Sequence, residues 1–255
     1  MRFALLGSGS RGNATLIEEG STSLLVDCGF SVRETERRMA RLGTTPQRLS
    51  AILVTHEHHD HLAGVGALAR KYRLPVWLTA GTAAAGKKRL GELPQCMMLN
   101  SHSDFAIDGL NLHPFPVPHD AREPCQFVFS NGDKRLGVLT DTGSSTPHIE
   151  RQLDGCNALI LESNHDRDML STGPYPPSLQ ARVGGGLGHL SNDQAAEILR
   201  RIGNRSLQHL VAAHLSEKNN KPGLAVEALS EALSCEREWI TLADQDGGLS
   251  WRDIR

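Results

Sequence analysis

The run Thr55-His56-Glu57-His58-His59-Asp60-His61 concentrates four imidazoles and two carboxylates in seven residues. It follows the apolar run Ala51-Ile52-Leu53-Val54 and precedes helical spacing at Leu62, Val65 and Leu68, so it reads as H-x-H-x-D-H at a strand exit. Residues two apart in an extended chain point the same way, so His56 and His58 can offer nitrogens to one cation. Asp60 and His61, where the chain turns into the helix, can face a second. The plain alternative is a polar, solvated loop. Three further residues each follow a β-type run: His119 after Phe115-Pro116-Val117-Pro118, Asp141 after Leu136 to Thr140, and His214 after Leu210 to Ala213. Alone, each would be a turn or capping residue. Beside H-x-H-x-D-H they become candidate ligands, because the ends of neighbouring strands converge. His56, His58 and His119 then serve one ion, Asp60, His61 and His214 the other, and Asp141 bridges. Three protein ligands with an open position is the catalytic pattern, whereas structural zinc is sealed by four. Between cations roughly 3.5–4 Å apart, a water can ionise near neutral pH and attack, and Asp60 is placed to orient it.

The elements that must position these residues are legible as short runs. Strands are expected at Phe3–Leu6, Thr15–Glu18, Ser23–Val26, Ala51–Thr55, Val76–Thr79, Gln126–Phe129, Leu136–Thr140, Ala158–Leu161, Leu210–Ala213 and Trp239–Leu242. Ser130-Asn131-Gly132-Asp133 supplies the positive φ angles of a tight antiparallel hairpin. Ser31 with Glu34 and Ser191 with Gln194 form possible capping boxes, closed by Gly43 and Gly203, and Val226, Leu229 and Leu233 mark a further helix before an Asp246-Gly247-Gly248 turn. This order predicts an α/β (α+β) chain with helices outside a mixed sheet, or two sheets face to face. At 255 residues, a single domain spanning 1–255 is expected.

A formal net charge of −2 with 22% charged residues describes a soluble globular protein rather than a basic nucleic-acid coat. Five scattered cysteines without a C-x-x-C pair speak against a disulfide framework or a cysteine zinc site, and for a reducing cytoplasm. No long apolar run predicts a membrane span or signal peptide. Arg37-Arg38 with Arg41, Lys87-Lys88-Arg89 and Arg200-Arg201 with Arg205 are either a track for a polyanion or ordinary solvated helix faces. The Ser8–Asn13 loop either presents N–H groups to a phosphate or is a plain hairpin turn.

With those residues in place, the chain resembles the metallo-β-lactamase superfamily, whose fold is a four-layer αββα sandwich with a two-metal site along one edge. The resemblance covers nearly the whole length and fills all seven ligand positions: His56, His58, Asp60, His61, His119, Asp141 and His214. By that likeness Asp27 supports the metal loop through hydrogen bonds; a turn residue before glycine is the alternative. Gly7 to Asn13, Leu161-Glu162-Ser163-Asn164-His165-Asp166, Gly188-His189-Leu190-Ser191-Asn192 and His214-Leu215-Ser216 with Asn219-Asn220 are similar to the YycJ (WalJ) group. That resemblance implies a phosphodiesterase or nuclease, with 5′ to 3′ DNA exonuclease activity proposed for the group, and ribonuclease Z and cyclic phosphodiesterases as relatives. It implies zinc, or manganese, as cofactor and DNA, RNA or a small cyclic phosphate as substrate. His189, outside the metal count, is the candidate general acid, with a helix-preceding surface residue as its alternative. His165 is either a substrate contact or a support. His59, His102, His113, His148 and His209 are expected to be surface or packing residues. Ser10-Arg11-Gly12 and Gly184-Gly185-Gly186 depart from the group's pattern. The same ligands also admit a thioester, lactone or β-lactam hydrolase, or an inactive nucleic-acid-binding scaffold.

Overall fold

The computed structural model describes residues 1–255. The first half of the chain forms β1 (Arg2–Gly7), β2 (Ala14–Glu19), β3 (Thr22–Val26), α1 (Val32–Arg41), β4 (Ala51–Leu53), α2 (His59–Leu62), α3 (Val65–Tyr72), β5 (Pro75–Leu78), α4 (Ala80–Leu90) and β6 (Gln95–Met98). There follow β7 (Phe105–Ile107), β8 (Leu110–Pro116), β9 (Cys125–Ser130), β10 (Arg135–Leu139), α5 (Pro147–Leu153), β11 (Ala158–Glu162), α6 (Arg167–Thr172), α7 (Pro177–Val183), α8 (Asn192–Arg201), β12 (His209–Ala213), α9 (Pro222–Leu233), β13 (Thr241–Leu242) and β14 (Leu249–Asp253). One sheet runs β14-β1-β2-β3-β4-β5-β6, the other β13-β12-β11-β10-β9-β8-β7.

Each sheet changes character midway. Strands β1 to β3 and β7 to β10 pair antiparallel through short turns, whereas β3 to β6 and β10 to β13 pair in parallel. Parallel pairing puts the C-terminal ends of β3 and β4, and of β10, β11 and β12, on common edges, where α/β sheets gather their ligands. The two sheets face each other through Phe3, Leu5, Ile17, Leu24, Val26 and Leu53 on one side and Leu112, Phe127, Phe129, Val138, Ile160 and Val211 on the other. Alternate residues face outward: Leu25 and Ile52 pack on Met39, Leu62 and Leu68 of α1 to α3, and Leu139 and Leu159 on Ile149, Ile198 and Leu229 of α5, α8 and α9. Both faces of the central strands are therefore covered, which is why they read as continuous apolar runs. The result is the helix–sheet–sheet–helix sandwich.

Helix ends follow the sequence with instructive exceptions. The Ser191–Gln194 capping box is complete, but at α1 only Ser31 caps, because Glu34 turns to Arg37 and Arg38. Gly43 adopts φ 71°, while Gly203 follows α8 without entering the left-handed region. In the β9–β10 hairpin Gly132 has positive φ and Asn131 does not; the Asn131 carboxamide instead accepts from the N–H groups of Asp133 and Lys134, giving a wider loop. Trp239 lies in a 3₁₀ turn, leaving β13 only Thr241–Leu242. Strands β6, β7 and β14 were not expected, and of β8 only Phe115 and Pro116 fell within a β-type run.

The β1–β2 loop and the β3–α1 connection are both stitched to the H-x-H-x-D-H segment: Asn13 N–H of the first donates to the Asp60 carbonyl at 2.7 Å, and in the second Cys28 N–H donates to the His61 carbonyl at 2.8 Å and the Cys28 carbonyl accepts from Gly64 N–H at 2.7 Å. A Cβ on Gly29 would overlap the Asp60 carbonyl, whereas one on Gly223 in α9 meets nothing within 4 Å. We therefore expect Gly29→Ala to cost about 1–3 kcal/mol by overpacking, and Gly223→Ala to be neutral or mildly stabilising. Urea midpoints of the two variants check this; equal midpoints would refute it.

Candidate metal centre

Three residues at strand ends occupy the left-handed region that non-glycine residues rarely enter: Asp27 (φ 59°) after β3, Asp141 (φ 59°) after β10 and His214 (φ 54°) after β12. The turn aims each side chain across the sheet edge. His56, His58 and His119 form one cluster of potential ligand atoms, and Asp60, His61, Asp141 and His214 a second, the atoms within each lying within 4.8 Å of one another. All seven residues picked from the sequence are thus brought together, in the two groups their spacing suggested, with Asp141 in the second. His119 Nε2 is 3.2 Å from His58 Nδ1. His61 Nε2 is 3.1 Å from Asp141 Oδ2 and 3.4 Å from Asp60 Oδ2, and His214 Nε2 is 3.5 Å from Asp60 Oδ2.

The opposite ring nitrogens are already engaged. His61 Nδ1 meets Asp27 Oδ2 at 2.7 Å, His56 Nδ1 the Thr55 hydroxyl at 2.9 Å, His119 Nδ1 the Gly188 carbonyl at 3.0 Å and His214 Nδ1 Glu162 Oε1 at 3.1 Å. By contrast His56 Nε2, His214 Nε2 and Asp141 Oδ2 are buried without any hydrogen bond. Buried polar atoms pointing at one another, with four of the five imidazoles fixed from behind by an oxygen, are what divalent cations require of a nitrogen and oxygen ligand set. The donor set therefore fits a divalent metal site.

The charge balance agrees. Burial drives His56 well below its ordinary pKa, with His61 adding to the effect. Burial would lower His214 too, but Asp141, Asp60 and Glu162 hold it up at about 10, and Asp141, Asp60 and Asp27 likewise hold His61 well above its usual value. Burial opposes ionisation of Asp141, yet His214 and His61 keep it well below the carboxylate range. Protons on two imidazoles thus offset packed carboxylates. A divalent cation carries the same positive charge while leaving the nitrogen lone pairs free to bind it.

Glu162 escaped the sequence reading as a site residue, although it ends β11 as Asp141 follows β10. Fully buried, it accepts from His189 Nδ1 at 2.7 Å, His214 at 3.1 Å and the N–H groups of Thr142 and Leu190 at 3.0 and 3.1 Å. Burial resists its ionisation, but His189 and His214 bring it down to about 2. His189 is accordingly no ordinary surface residue: it stands 3.6 Å from Asp141, and Glu162 raises its pKa against the effect of burial. Asp27 accepts from Thr55 N–H and hydroxyl at 2.9 and 2.8 Å as well as from His61, so it braces the loop. Asn13 adds its amide nitrogen 3.2 Å from Asp60 Oδ2.

Other candidates lie apart. His165 is buried and lines a separate groove with Arg167 and Gln180. In the Ser8–Asn13 loop the Gly9 and Arg11 N–H groups already donate to Asn13 and Gln245, so the plain turn describes it better than a phosphate cradle. Arg38 is buried, donating to the Leu6 and Gln245 carbonyls, and Arg201 pairs with Glu150 and Glu197. His113 pairs with Asp104, and His59 sits at the rim of the cavity. That cavity, of about 340 Å³, opens over both clusters and reaches His58, Asp60, Asp141, His189 and His214.

Comparison with known proteins agrees with this architecture. Residues 22–214 match the model of the Beta-lactamase superfamily domain. The chain is 36% identical over 235 residues to exodeoxyribonuclease YycJ of Bacillus anthracis, covering 91% of this chain and 89% of that one. It is 35% identical over 229 residues to exodeoxyribonuclease WalJ of Streptococcus pneumoniae, covering 88% and 85%. The crystal structure of the metallo-beta-lactamase fold protein YhfI from Bacillus subtilis superposes with a TM-score of 0.77 over 98% of each chain at 16% identity, a likeness of fold. The matched span, the level of identity and the strand-edge cluster together make this chain a member of the beta-lactamase superfamily.

Proposed function

We propose that this chain is a two-metal phosphodiesterase acting on nucleic acid, with His56, His58 and His119 holding one cation, Asp60, His61 and His214 the other, and Asp141 between them. The observation that carries this reading is the Glu162–His189 pair beside the seven ligands, with His189 lining the cavity that His58, Asp60, Asp141 and His214 also reach. The names of the relatives support DNA as substrate and an exonucleolytic mode. Zinc suits the imidazole-rich half, and manganese is compatible with the carboxylates of the other. Ligands drawn from both sheets support residues 1–255 acting as one domain. Five unpaired cysteines and the absence of any helix long and apolar enough to cross a membrane are compatible with a reducing cytoplasm.

When bound, the cations would lower the pKa of a water and draw charge from the phosphoryl oxygens. Asp60 lines the cavity, where its carboxylate would accept a hydrogen from such a water and orient it. His189 gives Nδ1 to Glu162 and keeps Nε2 for the departing oxygen, which it protonates as general acid. Glu162 fixes the ring and its tautomer while also holding His214, so acid and ligand share one support.

Two experiments test the reading. Chelation of purified protein should abolish cleavage of single-stranded DNA, and zinc or manganese should restore it, with no comparable turnover of a thioester; a metal-loaded protein inert towards phosphodiesters would leave only a binding or scaffold role. Replacing His189 with Ala should slow a substrate with a poor alkoxide leaving group by about 10²–10⁴-fold, while barely affecting an aryl phosphodiester. Equal slowing of both substrates would exclude the general-acid role.

A further inference from the structure

Helix α7 buries none of its residues. A helix that short gains little stability from its own hydrogen bonds, so its place in the fold calls for another explanation. It is held at the rim of the metal cavity by its flanks. Gln180 donates to the Ser171 and Gly173 carbonyls, each at 3.3 Å, before it. After it, the glycine-rich stretch folds back tightly: His189 N–H donates to Val183 at 2.8 Å and Asp120 N–H to Leu187 at 2.9 Å. A Cβ on Gly188 would collide with the Arg182 and Val183 carbonyls, and one on Gly143 with Gly186 and Gly188. Gly185 and Gly188, where a Cβ would meet the Ala181 carbonyl and the Arg182 and Val183 carbonyls, thus let one turn hand the Gly188 carbonyl to His119 while α7 passes over the cavity.

What α7 delivers there is Arg182, the one lysine or arginine among the residues lining the cavity, whose acidic residues are Asp60, Asp120 and Asp141. Asp120 Oδ2 takes the Arg182 Nε at 2.5 Å, while Asp120 Oδ1 lies 3.6 Å from His119 Nε2 and 3.7 Å from His58 Nε2. A guanidinium gripped through Nε keeps its two terminal nitrogens for a second, bidentate partner. The Arg182 side chain is 60% exposed, so this fork remains in water until a ligand arrives.

We propose that Arg182, positioned by Asp120, is a phosphate-contacting residue that clamps the non-bridging oxygens of a nucleic-acid backbone entering the metal cavity. This rests on the phosphodiesterase reading and adds a specificity element to it. The planar fork matches a phosphate and has no comparable match in a neutral carbonyl substrate.

The test uses the metal-loaded protein and a 3′-fluorescein single-stranded oligodeoxynucleotide with cleavage-resistant phosphorothioate linkages, its binding followed by anisotropy across a salt series. Arg182→Gln should melt like the parent, bind about tenfold more weakly and lower the slope of log affinity against log salt by about 0.7, the value for one phosphate contact on a single strand. Arg182→Lys should keep the slope and recover part of the affinity. If Arg182→Gln retains both affinity and slope, the clamp is refuted while the nuclease reading stands. If it loses affinity with the slope intact, Arg182 only tethers α7 through Asp120, and the clamp is again refuted. If the parent protein neither binds this probe nor cleaves natural DNA, the phosphodiesterase reading itself fails and takes the clamp with it.

Discussion

The constraint on which the rest of the structure depends is buried negative charge at the sheet edges. Asp27, Asp141 and Glu162 are almost wholly removed from water, with Asp60 beside them. An isolated carboxylate in such a place would cost several kcal/mol, so each must meet protons, N–H groups or a cation. Asp27 and Glu162 are satisfied within the chain, by Thr55 and His61 and by Thr142, Leu190, His189 and His214. Asp141 Oδ2 has His61 Nε2 at 3.1 Å but no well-directed hydrogen bond, and His56 Nε2 and His214 Nε2 have none either. The centre is therefore a fully supported outer ring around an inner set of unsatisfied atoms, and that difference separates a structural polar network from a binding site.

Support comes from both sheets. Asp27 and Thr55 reach from the edge of the β14-to-β6 sheet, Glu162 and His214 from the edge of the other, and Gly188 from the turn after α7. The His214 N–H itself donates to the Ser8 hydroxyl across the two sheets at 2.8 Å. No half of the chain could hold this geometry alone, since ligand groups within one cluster arise from opposite sides of the shared core. The apolar contact of Leu24, Leu53, Phe127 and Ile160 between the sheets thus sets the distances on which the polar edge depends.

Legibility in the sequence followed the range of each interaction. H-x-H-x-D-H could be read because its neighbours in space are neighbours in the chain, and the central strands because both faces are buried, making unbroken apolar runs such as Ala51–Val54. Strand β6 could not: Gln95-Cys96-Met97-Met98 is exposed along its length, so burial imposes no pattern on it. Strand β14 is read only through its partner, since Leu249–Asp253 alternates weakly and gains its place by pairing with β1. Trp239 looked like the start of a strand by residue type, yet the chain there closes a 3₁₀ turn before Thr241 can pair with Val211. Glu162 was within reach, being the carboxylate at the end of an apolar strand, but His165, three residues nearer the next helix, is the more conspicuous residue by type. Arg182 carried no local signal at all; only the glycine turn and Asp120 give it meaning.

The left-handed residues show how the edge reconciles backbone and chemistry. Glycine would adopt φ near 55° without penalty, yet it brings no side chain. Asp27, Asp141 and His214 occupy that region at a cost of order 1–3 kcal/mol each, and three such residues amount to a sizeable share of a domain's net stability. Each sits directly past a parallel strand whose neighbours pin the backbone on both sides: β3 between β2 and β4, β10 between β9 and β11, β12 between β11 and β13. An edge strand could relax away from that strain, but an interior one cannot without breaking its ladders. The ligand and its brace are therefore drawn from interior strands, where a conformation needed for chemistry can be enforced by hydrogen bonds that have nothing to do with it.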